Sequence, residues 1–198
     1  MKIITVPHPT LRTSAQRIMV VDKKLKQFSL DLAETLALKK NPRGVGLAAP
    51  QVDVKWRMFA TQLSHHTRSD SPRGLDLRIF INPKIIDHSD TLTFGPDKKE
   101  PTLEGCLSIP GLYGPIPRWE DIKLEFQVIQ ENELRTRTET FTDFAARVVQ
   151  HEEDHLNGVL FVDYTEKFDL PLYKEDMRTN ELITLEDDMI TALIDQTR

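Results

Sequence analysis

Residues 151–155 have the pattern His-Glu-x-x-His, which suits metal-assisted hydrolysis. Histidines four residues apart lie on one face of a helix, because the helix repeats about every 3.6 residues. The imidazoles of His151 and His155 can therefore reach one metal ion, and Glu152 beside them can move a proton there. The alternative is a solvated, charged helix face with two idle histidines.

Cys106 is the leading candidate for a third metal ligand. A catalytic site for a zinc-like ion takes three protein ligands and leaves one position open for water. A thiolate is a good ligand for such an ion, and the metal would keep the sulfur deprotonated. The alternative is that Cys106, the one cysteine of the chain, is a small buried hydrophobic residue.

Residues 44–51, Gly-Val-Gly-Leu-Ala-Ala-Pro-Gln, could approach a ligand closely. Glycines let a ligand come near the backbone, and Gln51 could present an amide donor to a developing oxyanion. The alternative is a plain turn beside packed alanines.

Apolar spacing predicts the elements that position these side chains. Helical spacing predicts helices over 23–39 and 143–156. Alternation predicts a strand over 122–128, and the turn at residues 131–133 predicts a return strand over 134–141. We further expect strands over 57–62 and 77–81 (the second stopped by Asn82-Pro83), polar loops over 64–74 and 87–101, and a last helix marked by Leu182, Leu185, Met189, Ile190, Leu193 and Ile194. Because strands and helices do not alternate regularly, these elements predict an α+β fold with largely antiparallel pairing.

Composition limits the class of protein. The chain has 198 residues, 39% hydrophobic and 29% charged, which suits one globular domain. Its net charge of -5 indicates no broad basic surface for nucleic acid. Residues 166–198 hold nine acids and four bases, so this tail carries the whole charge. A single cysteine fits a reducing compartment, and we expect neither a signal peptide nor a membrane-spanning segment.

Three segments together resemble the peptide deformylase family. That family is recognised by G-x-G-x-A-A-x-Q, E-G-C-x-S and Q-H-E-x-D-H, in this order. Residues 44–51, 104–108 and 150–155 contain all three. The resemblance runs from about residue 2 to residue 164, and three ordered motifs are far more specific than any one.

The resemblance implies a single α+β domain with mostly antiparallel sheets around a central metal-binding helix, followed by a C-terminal helix. Residues 1–165 would form the catalytic domain, and residues 166–198 an acidic extension with an amphipathic helix, part of the same domain. The implied reaction removes the formyl group from N-formylmethionyl peptides of nascent proteins. Cys106, His151 and His155 would hold one divalent ion, Fe²⁺ in the cell, with Zn²⁺, Ni²⁺ or Co²⁺ in purified protein. Ligand chemistry alone favours zinc, so iron rests only on the family.

The resemblance also assigns roles to single residues. Glu152 would take a proton from the water at the metal and later protonate the leaving amine. The Gln51 side chain and the Leu107 backbone N–H would meet the oxyanion. The substrate residues would be Val45, Gly46 and Gly105 along the peptide backbone, and Val45, Phe144 and Val148 around the methionine side chain, with Arg147 at the rim. Glu104 and Asp154 lie in the motifs but not at ligand positions, and we expect them to support the site by pairing with Arg118. The alternative is a surface ion pair.

Two departures from the family pattern bear on partners. Phosphate would repel the acidic tail, which argues against docking on ribosomal RNA through a basic C-terminal helix. We expect N-formylmethionyl peptides as substrates, the ribosome as a partner only through another surface, no membrane or DNA partner, a monomer, and a cytoplasmic location. Tyr113 stands where some relatives have a basic residue near the peptide site, which leaves preferences beyond methionine open.

Two competing functions remain at this point. A non-catalytic protein with this fold could bind peptide N-termini, but binding alone needs neither Glu152 nor Gln51. A general zinc peptidase could use His-Glu-x-x-His, but such enzymes usually take their third ligand downstream of the helix.

Overall fold

The computed structural model describes residues 1–40, 43–63, 76–97, 100–176 and 178–197. Its helices are α1 (Lys23–Leu38), α2 (Asp143–Leu156), α3 (Val162–Phe168) and α4 (Asp187–Thr197), with short 3-10 helices at Pro9–Arg12 and Ala49–Val52. Its strands are β1 (Gly46–Ala48), β2 (Met58–Leu63), β3 (Asp76–His88), β4 (Leu92–Thr93), β5 (Leu103–Cys106), β6 (Ile109–Pro115), β7 (Arg118–Trp119), β8 (Asp121–Gln130), β9 (Glu133–Thr142), β10 (Tyr173–Glu175) and β11 (Leu182–Thr184).

The strands form two main sheets and one small pair. The larger sheet has the order β1-β2-β3-β8-β9, the smaller one β11-β10-β6-β5, and β4 pairs with β7. Every one of these pairings is antiparallel. The expected α+β fold with mostly antiparallel sheets is therefore confirmed. Among the described strands, β1 and β5 each stand at the end of a sheet, so each has an edge available for further pairing.

The β8–β9 hairpin follows directly from its sequence. Ile122, Leu124 and Phe126 are buried between exposed residues, as alternation along a half-buried strand requires. Glu131 and Asn132 at the turn both have positive φ, 50° and 66°, which matches the right-handed twist of a two-residue hairpin. The strands predicted over 122–128 and 134–141 are confirmed and slightly longer.

Helix α2 lies at the centre of the fold, and its predicted bounds are confirmed. It contacts β1, β2 and β9, and buries residues along most of its length, including Ala146, Val149 and Leu156. The acidic Asp143 stands in its first turn, where the helix dipole favours negative charge. Gly158 follows its end with φ of 73°, a conformation that glycine adopts without strain.

The prediction that Asn82-Pro83 stops the third strand is wrong. Strand β3 continues to His88, because the pairing with β8 shifts register between Ile81 and Lys84 and accommodates the proline there. Asn82 adopts a positive φ of 50°, and its side chain bonds the backbone N–H and carbonyl of Ile18 at 2.8 and 2.7 Å. A bulge with its own hydrogen bonds replaces the expected stop.

The last helix begins later than predicted. Leu182 to Thr184 form β11 against β10, and α4 starts only at Asp187. Residues spaced three or four apart suit either element over so short a stretch, so tertiary pairing decided this boundary. Leu172, Leu185 and Ile194 join the buried cluster that also contains Cys106 and Ile109. The division of a single domain into a catalytic part over residues 1–165 and an acidic extension over residues 166–198 stays a prediction.

The two predicted loops differ in what the structure shows of them. The loop over 64–74 lies outside the described residues. The loop over 87–101 is only partly a loop, since β3 reaches His88 and β4 occupies Leu92–Thr93. Within the described parts of the chain, no helix combines the length and apolar character needed to cross a bilayer.

Candidate active site

The sulfur of Cys106 and the imidazoles of His151 and His155 come together at one point. One ligand atom from each residue lies within 4.8 Å of the others, and Cys106 Sγ is 3.2 Å from His155 Nε2. Ligand atoms that share one tetrahedral ion lie roughly 3.5 Å apart, so the set is compact enough for a single metal. Cys106 ends β5 at the edge of the smaller sheet, whereas the histidines occupy successive turns of α2. Cys106 and His155 are buried, at 9% and 1% exposure, which shields the donor atoms from water.

His151 is oriented by a buried carboxylate. Its Nδ1 lies 3.1 Å from Glu104 Oε2, which leaves Nε2 to face the other ligands. A hydrogen bond of this kind fixes both the tautomer and the direction of a metal-binding imidazole.

Glu104 is itself held by two arginines. Arg118 donates to both of its oxygens at 2.9 and 2.8 Å, and Arg147 donates to Oε1 at 2.8 Å. Burial alone would raise the pKa of Glu104, but the charge and hydrogen bonds of Arg118, with the His151 bond, hold it well below its usual range. Arg118 also donates to Asp154 at 2.5 Å, so the predicted pairing of Glu104 and Asp154 with Arg118 is confirmed.

The rim position expected for Arg147 is corrected by the structure. The residue is 4% exposed, and its guanidinium also donates to the carbonyls of Ile116 and Thr93, at 2.6 and 2.8 Å. These bonds turn the charged end toward Glu104 and away from solvent. Its position on α2, four residues before His151, accounts for its access to Glu104.

Glu152 has the opposite environment to Glu104. It is 3% exposed, and its Oε2 has no hydrogen-bond partner among the residues that the structure describes. Burial, which disfavours the charged carboxylate, is the largest influence and raises its pKa to about 7. A β-carbon at residue 46 would come within 2.6 Å of Glu152 Cδ, so Gly46 lets the backbone of β1 lie against this carboxyl group.

Gln51 directs its amide group toward the ligand cluster. Its Oε1 accepts a hydrogen bond from the Ala48 N–H at 2.8 Å, which fixes the orientation of the amide. Its Nε2 then points to Cys106 Sγ at 3.5 Å and Ser108 Oγ at 3.2 Å. Leu107, the other residue predicted at the oxyanion, follows Cys106 and lines the same groove.

A groove of about 280 Å³ opens over the ligand cluster between β1 and β5. Glu152, His151 and Cys106 lie among the residues that line it. The six residues predicted to bind substrate also line it: Val45, Gly46, Gly105, Phe144, Arg147 and Val148. Phe144 is 50% exposed at the mouth, whereas Val148 is 5% exposed and lies deeper. The structure thus brings together every residue that the sequence assigned to chemistry or to substrate.

Several contacts of this site are invisible in the sequence. The Ser108 hydroxyl accepts a hydrogen bond from the Gln51 amide, and the hydroxyl of Tyr113, which lines the groove, donates to Glu175 Oε2 at 3.4 Å. Lys39 and Arg43 also line the groove. Sequence spacing gives no signal for these contacts, because they join segments that are distant in the chain and meet only in the folded protein.

Comparison with known proteins identifies the family. Residues 1–170 match the family model described as polypeptide deformylase. The chain belongs to the polypeptide deformylase family. A peptide deformylase 2 from Nostoc sp. is 39% identical over 165 residues, which cover 83% of this chain and 85% of that protein. A peptide deformylase from Borreliella burgdorferi is 36% identical over 183 residues, covering 92% and 98% of the two chains.

Solved structures of deformylases share the fold. Arabidopsis thaliana peptide deformylase 1B, in complex with an inhibitor, has a TM-score of 0.69 and 27% identity, covering 100% of this chain and 88% of that one. A class I type b peptide deformylase from Acinetobacter baumannii, with Met-Ala-Ser bound, has a TM-score of 0.68 and 28% identity, covering 83% and 97%. The alignment with the Arabidopsis enzyme spans this whole chain, whereas the alignment with the Acinetobacter enzyme spans 83% of it.

Proposed function

We propose that this chain is a metal-dependent hydrolase that removes the formyl group from N-formylmethionyl peptides of nascent proteins. Its family and its named relatives support an enzyme of this kind over a non-catalytic peptide-binding protein. The observation that carries the proposal is the cluster of buried Cys106, half-buried His151 and buried His155 beside Glu152, whose Oε2 has no partner among the described residues. A protein that only bound peptides would gain nothing from burying an acid in this state.

The donor set fits a divalent transition metal. One thiolate and two imidazoles suit borderline and soft ions, and leave room for a water at the same centre. We propose Fe²⁺ in the cell, with Zn²⁺, Ni²⁺ or Co²⁺ as substitutes in purified protein. When bound, such an ion is a Lewis acid that lowers the pKa of water and polarises the formyl oxygen.

Glu152 moves the protons of the reaction. A general base works best when its pKa lies near the operating pH, and the buried Glu152 carboxyl has a pKa of about 7 in the metal-free site. It takes a proton from the attacking water as the new C–O bond forms at the formyl carbon. It then protonates the methionine nitrogen as the C–N bond breaks, so that formate and a free amine leave.

Gln51 and Leu107 stabilise the oxyanion. The Ala48 N–H holds the Gln51 carbonyl oxygen, which directs the amide N–H groups into the site before substrate arrives. The backbone N–H of Leu107, next to Cys106, is the second donor. Donors fixed in advance stabilise developing charge without a reorganisation cost in the transition state.

The peptide binds as an added strand between β1 and β5. Val45, Gly46 and Gly105 offer backbone groups at these two edges, and an extended peptide can pair with such groups. Val148 and Phe144 contact the methionine side chain. Arg147 lines the same pocket, while its guanidinium anchors Glu104.

The setting of the enzyme follows from its substrate. We propose a monomer in the cytoplasm that meets nascent chains, without a membrane or DNA partner. Contact with the ribosome would not use a basic C-terminal helix, because residues 166–198 carry a net charge of -5. Residues 1–165 form the catalytic part, and the acidic extension belongs to the same domain.

The direct test is turnover of formyl-Met-Ala-Ser by anaerobically prepared, iron-loaded protein. We expect equal amounts of formate and of free amine, and loss of both after chelation of the metal. A protein that binds the formylated peptide in calorimetry but releases no formate would instead be the non-catalytic binding protein.

A further inference from the structure

Tyr113 covers the part of the groove where the peptide backbone would lie. It pairs across β5 and β6 with Gly105, and a β-carbon at residue 105 would come within 2.7 Å of its ring. The ring is half-buried and lines the groove. A substrate strand beside Gly105 therefore passes the aromatic ring of Tyr113 just beyond the methionine.

Glu175 stands at the hydroxyl end of this ring. Strand β10 pairs with β6 so that Tyr173 is opposite Tyr113, which places Glu175 two residues further along the same face of β10. The Tyr113 hydroxyl donates to Glu175 Oε2 at 3.4 Å. Lys174, the nearest base in sequence, points to the other face of the strand.

The Glu175 carboxylate has the Tyr113 hydroxyl as a hydrogen-bond partner. It is half-buried, and in the described parts of the chain it forms no ion pair. The neighbouring Asp176 forms an ion pair with Arg178 at 3.7 Å. Two bases that precede β1 in the chain, Lys39 and Arg43, also line the groove.

An aromatic face next to a carboxylate suits a cationic side chain. The ring attracts a lysine ammonium or arginine guanidinium through its quadrupole, and the carboxylate accepts charge-assisted hydrogen bonds. We propose that Tyr113 and Glu175 determine specificity, favouring substrates with lysine or arginine in the first two positions after formylmethionine. The proposal rests on the proposed function, since it places a formylated peptide in this groove.

The test compares five peptides with the iron-loaded, full-length protein: formyl-Met-Ala-Ser, formyl-Met-Ala-Lys, formyl-Met-Ala-Glu, formyl-Met-Lys-Ser and formyl-Met-Glu-Ser. We expect kcat/KM for lysine to exceed that for glutamate at the same position by about three- to tenfold at low salt, mostly through KM. Added salt should reduce this ratio. Equal kcat/KM for the lysine and glutamate peptides at both positions would overturn the proposal.

Substitutions assign the preference to the pair. Glu175→Gln should bring the lysine-to-glutamate ratio close to one, and Glu175→Lys should reverse it. The matched control is Glu181→Gln, an exposed acid on the same extension, which should keep the full ratio. A ratio that persists in both Glu175 variants would overturn the assignment.

A failure of the proposed function gives a different result. No peptide would then release formate, whatever its sequence. Calorimetric binding of the same five peptides would still measure the preference, and equal affinities for the lysine and glutamate peptides would overturn it.

Discussion

Two carboxylates lie buried on the two sides of one ligand cluster, and their surroundings differ in almost every respect. Glu104 is enclosed by Arg118, Arg147 and His151, all within hydrogen-bond distance. Glu152 faces the groove beside Gly46, with one oxygen lacking a partner among the described residues. Burial is similar at 7% and 3% exposure, yet the pKa of Glu104 is lowered and that of Glu152 is raised to about 7. Partners, more than depth, decide which buried acid is structural and which is available for chemistry.

The largest expected effect tests Glu152, the carboxylate that faces the groove. Glu152→Gln keeps the shape of the side chain but removes the group that accepts and returns a proton. We expect kcat/KM for formyl-Met-Ala-Ser to fall about 10²- to 10⁴-fold, with the metal content unchanged. Exposed Glu125→Gln on β8 is the control and should keep full activity. Retained turnover in the Glu152 variant would remove Glu152 from the mechanism.

The second-largest expected effect tests the ion pairs of Glu104 with its two arginines. Glu104→Gln leaves the buried guanidinium groups of Arg118 and Arg147 without the carboxylate that pairs with them. We expect the free energy of unfolding to fall by about 3–5 kcal/mol at pH 7 in urea titrations. A depressed pKa stabilises the fold above the ordinary value of 4.5, and this contribution is lost as the pH falls through the folded-state pKa. The deficit of the variant should therefore shrink in acid, and a deficit independent of pH would contradict the ion-pair explanation.

The smallest expected effect is a gain in stability, and it concerns the metal-free protein. A raised pKa means that ionised Glu152 destabilises the fold, so its stabilising contribution is present below about pH 4.5 and lost as the pH rises through about 7. The Glu152→Gln variant cannot ionise at this position, so it does not lose this stability as the pH rises. We expect chelated Glu152→Gln to be more stable than chelated wild type at pH 8, by up to about 3 kcal/mol, and to match it near pH 4.5. Unfolding in urea at both pH values measures this, and a variant that is less stable at pH 8 would reverse our account of this carboxyl group.

Local sequence predicted the elements that carry the chemistry. The apolar spacing of residues 143–156 matched α2 to its bounds, and alternation with the turn at residues 131–133 located the two strands of the β8–β9 hairpin. Local sequence was less successful where the pairing of strands with distant segments determines the structure. The bulge at Asn82 depends on hydrogen bonds to Ile18, 64 residues away, and β11 exists only because β10 lies beside it. Short-range spacing carries no information on either contact.

The candidate site shows the same division. The three motifs named the ligand set, Gln51 and Glu152, because each role requires a particular residue type. They gave no sign that Arg147 turns inward to Glu104 or that Glu175 meets Tyr113, contacts that join positions 43 and 62 residues apart. An arginine next to a pocket is equally consistent with a rim position until the neighbouring strands are in place.

By itself, the sequence determined which side chains could take part and which face of a helix two of them would share, since helical geometry is a local property. Only the tertiary structure decided that the sulfur of β5 meets the imidazoles of α2, because two sheets and a central helix must pack before distant residues touch. It also decided the contrast between Glu104 and Glu152. The charge state of a carboxyl group depends on the groups and the water around it, and folding is what supplies or removes them.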